Sequence, residues 1–302
     1  MLDRTAFDNY KPGADAWAND VPDISLYDLK LKYKGKPKVS MMISTYNRRA
    51  QLARTLECLA RQDFRAFELL FMDDGSTQNM DLVLDMFEPF LQIKRYHAER
   101  SSWRSCPSKA YRTMLPDAQG EVIAITMPEE MLDQRAMGVM YRNLFLPMPE
   151  SRVYMIPDNP EIPPEQWAVT EPFWFRWMSL RPGWIPDSLY PEIDKVDWHK
   201  DARNLQKMPG YNTTGPCFAG QLNPWHATYP VYPWWCCSAA LRACPIWDAL
   251  PEFKDHGIID RWFYHYRQMH KIVDVVPNEI LCYHQPHQTS AVGTGEKVEP
   301  YL

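Results

Sequence analysis

Two adjacent carboxylates, Asp73 and Asp74, end the apolar run ELLFM and are followed in FMDDGST by a glycine and two hydroxyls. Charged side chains leave water only when they are paired or bind something. The placement suits either an Asp-Gly turn closing a buried strand or a pair of hydrogen-bond acceptors offered to a ligand. Two more polar clusters follow apolar runs in the same manner: Thr45-Tyr46-Asn47 after VSMMIS, and Met127-Pro128-Glu129-Glu130 after EVIAIT. Cations gather in two places. Lys30, Lys32, Lys34, Lys36 and Lys38 form one run, and Lys94, Arg95, Arg100, Arg104, Lys109 and Arg112 form a segment opposed only by Glu99.

The elements that must position these clusters alternate along the chain. VSMMIS reads as a short buried strand, and RRAQLARTLECLARQ carries Leu52, Leu56 and Leu59 at helical spacing. The strand FELLFM, a helix over DLVLDMF and a strand near IKRYHAE follow. Ser108 is placed to cap a helix over KAYRTML, before the strand EVIAIT. Such alternation predicts an α/β fold with a largely parallel sheet covered on both faces. Ligands of such sheets sit beyond the carboxyl ends of the strands, where all three polar clusters fall.

From about residue 145 to 250 the composition changes. Nine of the twelve tryptophans lie between 167 and 247, among prolines and without sustained periodicity. This predicts long ordered loops packed by their own aromatics, equally suited to binding flat ligands and to filling a core. Regular structure returns with a helix over HGIIDRWFYHYRQMH, a strand in KIVDVVP and a His-rich loop, YHQPHQTSAVGTGEK. His226, His256 and His265 have no partner spacing and read as structural.

With 302 residues, 45% of them hydrophobic, the chain can bury a large core. A net charge of −5 gives no overall footprint for nucleic acid or anionic membrane. The opening MLDRTAFDNYKPG lacks an apolar leader, and no window approaches the roughly 18 apolar residues of a membrane span. Seven cysteines without a CxxC pair point to reduced thiols and a cytoplasmic setting. The sequon Asn212-Thr213-Thr214 is then not expected to be glycosylated.

The segment VSMMISTYNRRAQLARTLECLARQDFRAFELLFMDDGST closely resembles the opening of family-2 glycosyltransferases of the GT-A fold. Those proteins place Thr-Tyr-Asn-Arg after a first strand and Asp-Asp-Gly-Ser after a second. AQGEVIAITMPEEML, CCSAALRACPIWDALPEF and HGIIDRWFYHYRQ resemble later family segments more loosely. The resemblance implies a Rossmann-like, mostly parallel sheet flanked by helices, with an aromatic- and Pro-rich acceptor side. It also implies an organisation: an extension over 1–37, a nucleotide-sugar-binding half over 38–135, an acceptor-binding and catalytic half over 136–290, and a tail over 291–302.

By this resemblance Asp73, with Asp74 beside it, meets the base or ribose of a nucleotide sugar, and Thr45, Tyr46 and Arg48 frame the base. Arg104, Lys109 or Arg112 would face the diphosphate, although Tyr111-Arg112 stand where the family often has Arg-Asn. The family's Asp-x-Asp metal motif falls on Met127-Pro128-Glu129, so its first carboxylate is missing. Mn²⁺ or Mg²⁺ would be held by Glu129, with His284 and His287 of YHQPH completing the site. Asp260 is implied as the general base of an inverting reaction, although Ile259 replaces the family's preceding Glu.

UDP is the carrier the family favours. The acceptor is left open among a glycan, a lipid-linked sugar, a metabolite and a hydroxymethylated base in viral DNA. A non-catalytic nucleotide-sugar- or glycan-binding relative is the competing reading, supported by Met127 and Ile259.

Overall fold

The computed structural model describes residues 26, 28–99, 107–145, 152–154, 165, 174–180, 231–252, 258–270, 272–277 and 280–284. Its first strands are β1 (Val39–Thr45), β2 (Phe67–Asp73), β3 (Ile93–His97) and β4 (Val122–Thr126). They run parallel in the order β3-β2-β1-β4. All seven residues of β2 and all five of β4 are buried, as near-continuous apolar runs require when helices cover both faces.

The period-2 pleat sorts these runs between two cores. Val39, Met41, Ile43, Leu69, Phe71, Val122 and Ala124 face one side, with α1 (Arg49–Ala60), α2 (Asp81–Phe87) and α4 (Ala136–Phe145) packed on it. Met42, Leu70, Met72, Ile123 and Ile125 face the other. There they meet α3 (Ser108–Met114), α5 (Ile246–Ala249) and α6 (Ile258–His270).

The start of the first parallel pair is held by a buried polar knot. Ser40 Oγ donates to Glu68 Oε1 at 2.6 Å, and the Gly120 N–H donates to Ser40 Oγ at 2.8 Å. A Cβ on Gly120 would fall 2.5 Å from the Ser40 backbone nitrogen. Glycine is therefore required in AQGE for close backbone approach.

Beyond β4 the sheet becomes mixed. The remaining strands are β5 (Glu130–Leu132), β6 (Arg152–Tyr154), β7 (Trp174–Leu180), β8 (Val231–Leu241), β9 (Asp274–Val276) and β10 (Ile280–His284). The path continues β4-β8-β7-β10-β5, with β8 antiparallel to β4 and β5 antiparallel to β10. Strand β9 joins β7, and β6 joins β9.

Three expectations change here. The aromatic stretch between 145 and 250 contains strands β7 and β8 where loops were expected. Trp174, Phe175, Arg176 and Trp177 are buried in succession, so both faces of β7 are covered and the alternation that marks a strand is lost. Pro107, not Ser108, precedes α3; Ser108 lies inside the helix, and no side chain caps its end. His284 closes strand β10 rather than lying in a loop.

Candidate functional site

Strands β1, β2 and β3 end together: Thr45 is in register with Asp73, and Asp73 with His97. The ladder runs one step further, with the Asp74 N–H donating to Thr45 O and the Ala98 N–H to Asp73 O, both at 2.9 Å. Asp73 Oδ1 then accepts the Ser76 N–H at 2.9 Å, and Gly75 takes a φ of 75° to let the chain reverse. The turn reading of Asp-Asp-Gly-Ser thus holds for one Asp73 oxygen. The other, Oδ2, lies 3.8 Å from His97 Nδ1 at the sheet edge. Thr45 Oγ1 is buried beside it without a hydrogen-bond partner among the described residues. Asp74 is half-buried. Its carboxyl is raised from the ordinary value by burial and by the Asp73 charge, an effect the Lys109 cation offsets.

Asn47 organises this edge, and the sequence reading gave it no role. It takes the left-handed conformation, φ 52°, which Asn tolerates better than most residues. Its Oδ1 accepts the Thr77 N–H at 2.8 Å, the Thr77 hydroxyl at 3.1 Å and the Gln78 N–H at 3.3 Å. Its own N–H donates to Ser76 Oγ at 2.9 Å. The loops after β1 and β2 are clasped together by one side chain. The signal that could have found it is an Asn directly after a strand and before a helix, where the chain must turn.

The loop after β4 closes the edge from the other side. Arg48 Nε donates to Glu129 Oε1 at 2.8 Å, both side chains being largely buried. Thr55 Oγ1 holds the Pro128 carbonyl at 2.7 Å, and the Glu130 N–H donates to Met127 O. Met127, at the family's first Asp position, packs against both cores. The two glutamates diverge. Glu129 pairs with Arg48, whereas the fully buried Glu130 Oε2 accepts from Cys282 Sγ at 2.7 Å.

Glu130 is also the register partner of His284, so the end of β10 lies beside the Glu129 turn. Mn²⁺ and Mg²⁺ take oxygen ligands. The donor set is compatible with a single-carboxylate anchor through Glu129, although Arg48 already engages one of its oxygens.

Other expected residues fall farther out. Lys109 and Arg112 lie on α3; Lys109 Nζ is 4.0 Å from Glu252, and Arg112 Nη1 donates to the Leu250 carbonyl at 3.2 Å. Tyr46 is half-buried in the loop after β1. Asp260 is the third residue of α6, and the preceding Ile259 is buried in the second core. Arg104 and His287 lie outside the described residues, as does the tail over 291–302.

Residues 40–126, from β1 through β4, match the model of Glycosyl transferase family 2. The architecture superposes on Staphylococcus aureus TarS residues 1-349 in complex with UDP-GlcNAc, with a TM-score of 0.51. Residues 40–126 thus resemble family-2 glycosyltransferases, and the fold is of the GT-A kind. The TarS likeness covers 86% of this chain and 62% of that one at 14% identity. The mannosyltransferase PcManGT from Pyrobaculum calidifontis, in complex with GDP-Man and Mn²⁺, gives a TM-score of 0.50 over 88% of this chain and 62% of its own, also at 14% identity. At that identity the likeness is one of fold.

Two named proteins also match in sequence. Validoxylamine A glucosyltransferase of Streptomyces hygroscopicus is 43% identical over 70 residues, 22% of this chain and 17% of that protein. Chondroitin synthase of Escherichia coli is 36% identical over 69 residues, 22% of this chain and 10% of that protein. The matched segment is thus a minor part of each relative. No helix among the described residues is long and apolar enough to cross a membrane.

Proposed function

We propose that this chain transfers a sugar from a nucleotide-sugar donor, UDP-linked, to a hydroxyl acceptor with inversion at the anomeric carbon. The observation that carries the reading is the convergence of Thr45, Asp73 and the Arg48–Glu129 pair at one sheet edge. In this reading the edge takes the nucleotide. Asp73 and the Thr45 hydroxyl accept from the base N–H or the ribose hydroxyls, with Asp74 beside them and Tyr46 framing the base. Arg48 orients Glu129, while Lys109, Arg112 and Arg104 supply cations toward the diphosphate. When bound at Glu129, His284 and His287, Mn²⁺ or Mg²⁺ would add positive charge where the leaving diphosphate develops its own.

Asp260 removes the acceptor hydroxyl proton as that oxygen attacks the anomeric carbon. The bond to the nucleoside diphosphate breaks on the opposite side. Asp260 falls in the first turn of α6, where the helix dipole favours a negative side chain. The boundaries 1–37, 38–135, 136–290 and 291–302 serve as the working division between extension, donor half, acceptor half and tail.

The lysine run does not favour a nucleic-acid acceptor. It leads into Val39, at the opposite end of the seven-residue β1 from Thr45, a separation of about 20 Å. The competing reading, a non-catalytic donor-binding relative, is supported by Met127 and Ile259, both packed against the core.

Titration calorimetry with UDP and GDP tests the donor edge. Asp73→Asn should weaken nucleotide binding by about tenfold or more, the loss of a charged hydrogen bond, and equal affinity in the variant would overturn the edge assignment.

A further inference from the structure

Behind the Glu129 turn, three side chains from separate strands meet in the interior. Glu130 opens β5, Cys237 lies on β8 and Cys282 on β10, and all three are buried. Their ligand atoms lie within 4.8 Å of one another. Thr126 Oγ1, from the end of β4, sits 3.7 Å from Cys237 Sγ. Strand β7 runs between β8 and β10, yet the sulfurs on either side of it approach. The ladder is irregular at these levels, slipping between Arg176 and Met178 on one side of β7 and between Ile280 and Cys282 on the other. Bulges bend strands and re-aim side chains.

We propose that Glu130, Cys237 and Cys282 form a metal site of their own, taking a thiophilic divalent cation of which Zn²⁺ is the biological representative. Two thiolates select Zn²⁺ over Mg²⁺ and Mn²⁺, the opposite preference to the oxygen donor at Glu129. With Zn–S near 2.3 Å and Zn–O near 2.0 Å, tetrahedral ligands stand about 3.5–3.8 Å apart. A triangle with edges below 4.8 Å reaches that spacing with small side-chain shifts. The closest edge, Cys282 Sγ to Glu130 Oε2 at 2.7 Å, is a thiol hydrogen bond that opens as the metal replaces the proton.

Charge supports the exchange. A carboxylate with two thiols carries one negative charge, and Zn²⁺ with one carboxylate and two thiolates carries the same. Two protons leave as the cation enters, so burial adds no net-charge penalty. Bound metal would tie β5, β8 and β10 together and fix the turn that carries Glu129.

The test is independent of donor or activity. The full chain, expressed with added Zn²⁺ and purified under a non-thiol reductant, is analysed for metal by inductively coupled plasma mass spectrometry. Co²⁺ is then exchanged in and the absorption spectrum recorded. The expected result is about one Zn²⁺ per chain and intense thiolate-to-Co²⁺ charge-transfer bands. Cys237→Ser and Cys282→Ser, checked for folding by circular dichroism, should each lower the metal content about tenfold or more. Wild-type protein that binds neither Zn²⁺ nor Co²⁺ would overturn the site, as would oxidation of Cys237 and Cys282 to a disulfide with no bound metal. A Co²⁺ spectrum without thiolate bands would also overturn it, and that readout needs no variant to fold.

Discussion

The two halves of the sheet solve burial differently. From β1 to β4 the strand faces are mostly apolar, although Ser40, Glu68, Arg54 and Glu57 are also buried, and the polar groups at the strand ends are bonded across loops about 30 positions apart in sequence. From β5 to β10 charge is built into the interior. Asp274 Oδ1 accepts from Arg176 Nε at 3.1 Å, and Arg267 Nη2 stands 3.3 Å from Asp274 Oδ2. Arg176 and Asp274 lie 98 positions apart, and Glu130 and Cys282 lie 152 apart. Burial, and then repulsion from Arg176, lower Arg267 to about 10 against the pull of Asp274. The first half adds to its buried pairs a polar cluster at the open ends of its strands. The second uses buried charge to fix which strands meet, a role such groups can play at some cost in stability.

The comparison breaks most visibly at Asp274. Asp274→Ala leaves two buried guanidiniums without their carboxylate, so unfolding free energy in urea should fall by about 3–5 kcal/mol. Nucleotide affinity of the folded fraction should stay unchanged, because the damage lies in the charged half. A smaller and inverse effect is expected at Asn47. Asn47→Gly keeps the left-handed turn but loses the clasp, costing about 1–2 kcal/mol. Nucleotide binding should weaken by about tenfold as the two loops separate, while the unfolding free energy in urea falls by no more than about 1–2 kcal/mol.

The smallest effect concerns Asp74. Its folded carboxyl is raised, so the fold binds that proton more readily than the unfolded chain does. The stability it contributes is present below the ordinary Asp value and lost as pH rises through the raised one. Asp74→Asn should therefore equal or slightly exceed wild type in melting temperature at neutral pH. That advantage should vanish as pH falls through the raised value toward the ordinary one, measured by paired thermal scans.

The same contrast explains what could be read in advance. VSMMIS, FELLFM and EVIAIT announce their strands because apolar runs bounded by turn residues are local signals, and Asp-Asp-Gly-Ser marks its own turn. Strand β7 was invisible because Trp174, Phe175 and Trp177 are buried on both of its faces and Arg176 reads as polar. Its burial depends on Asp274, which periodicity cannot connect to it. The place of Glu129 in the turn after β4 was legible. Its pairing with Arg48 was not, because 81 positions separate them. Asn47 was passed over because its role lies in one backbone angle and three hydrogen bonds to another loop.

The most direct test of the account is nucleotide release from a panel of UDP-, GDP- and TDP-sugars, with Mn²⁺, Mg²⁺ or EDTA, in wild type, Asp260→Asn and Glu129→Ala. Acceptor-independent hydrolysis of the donor makes this readable before the acceptor is known. The account predicts release from one donor class, UDP-sugars, lowered by about 10²–10⁴-fold in Asp260→Asn, as loss of a general base requires. It also predicts that EDTA and Glu129→Ala each suppress release. No release from any donor, together with no rise in melting temperature on adding UDP or GDP, would contradict it.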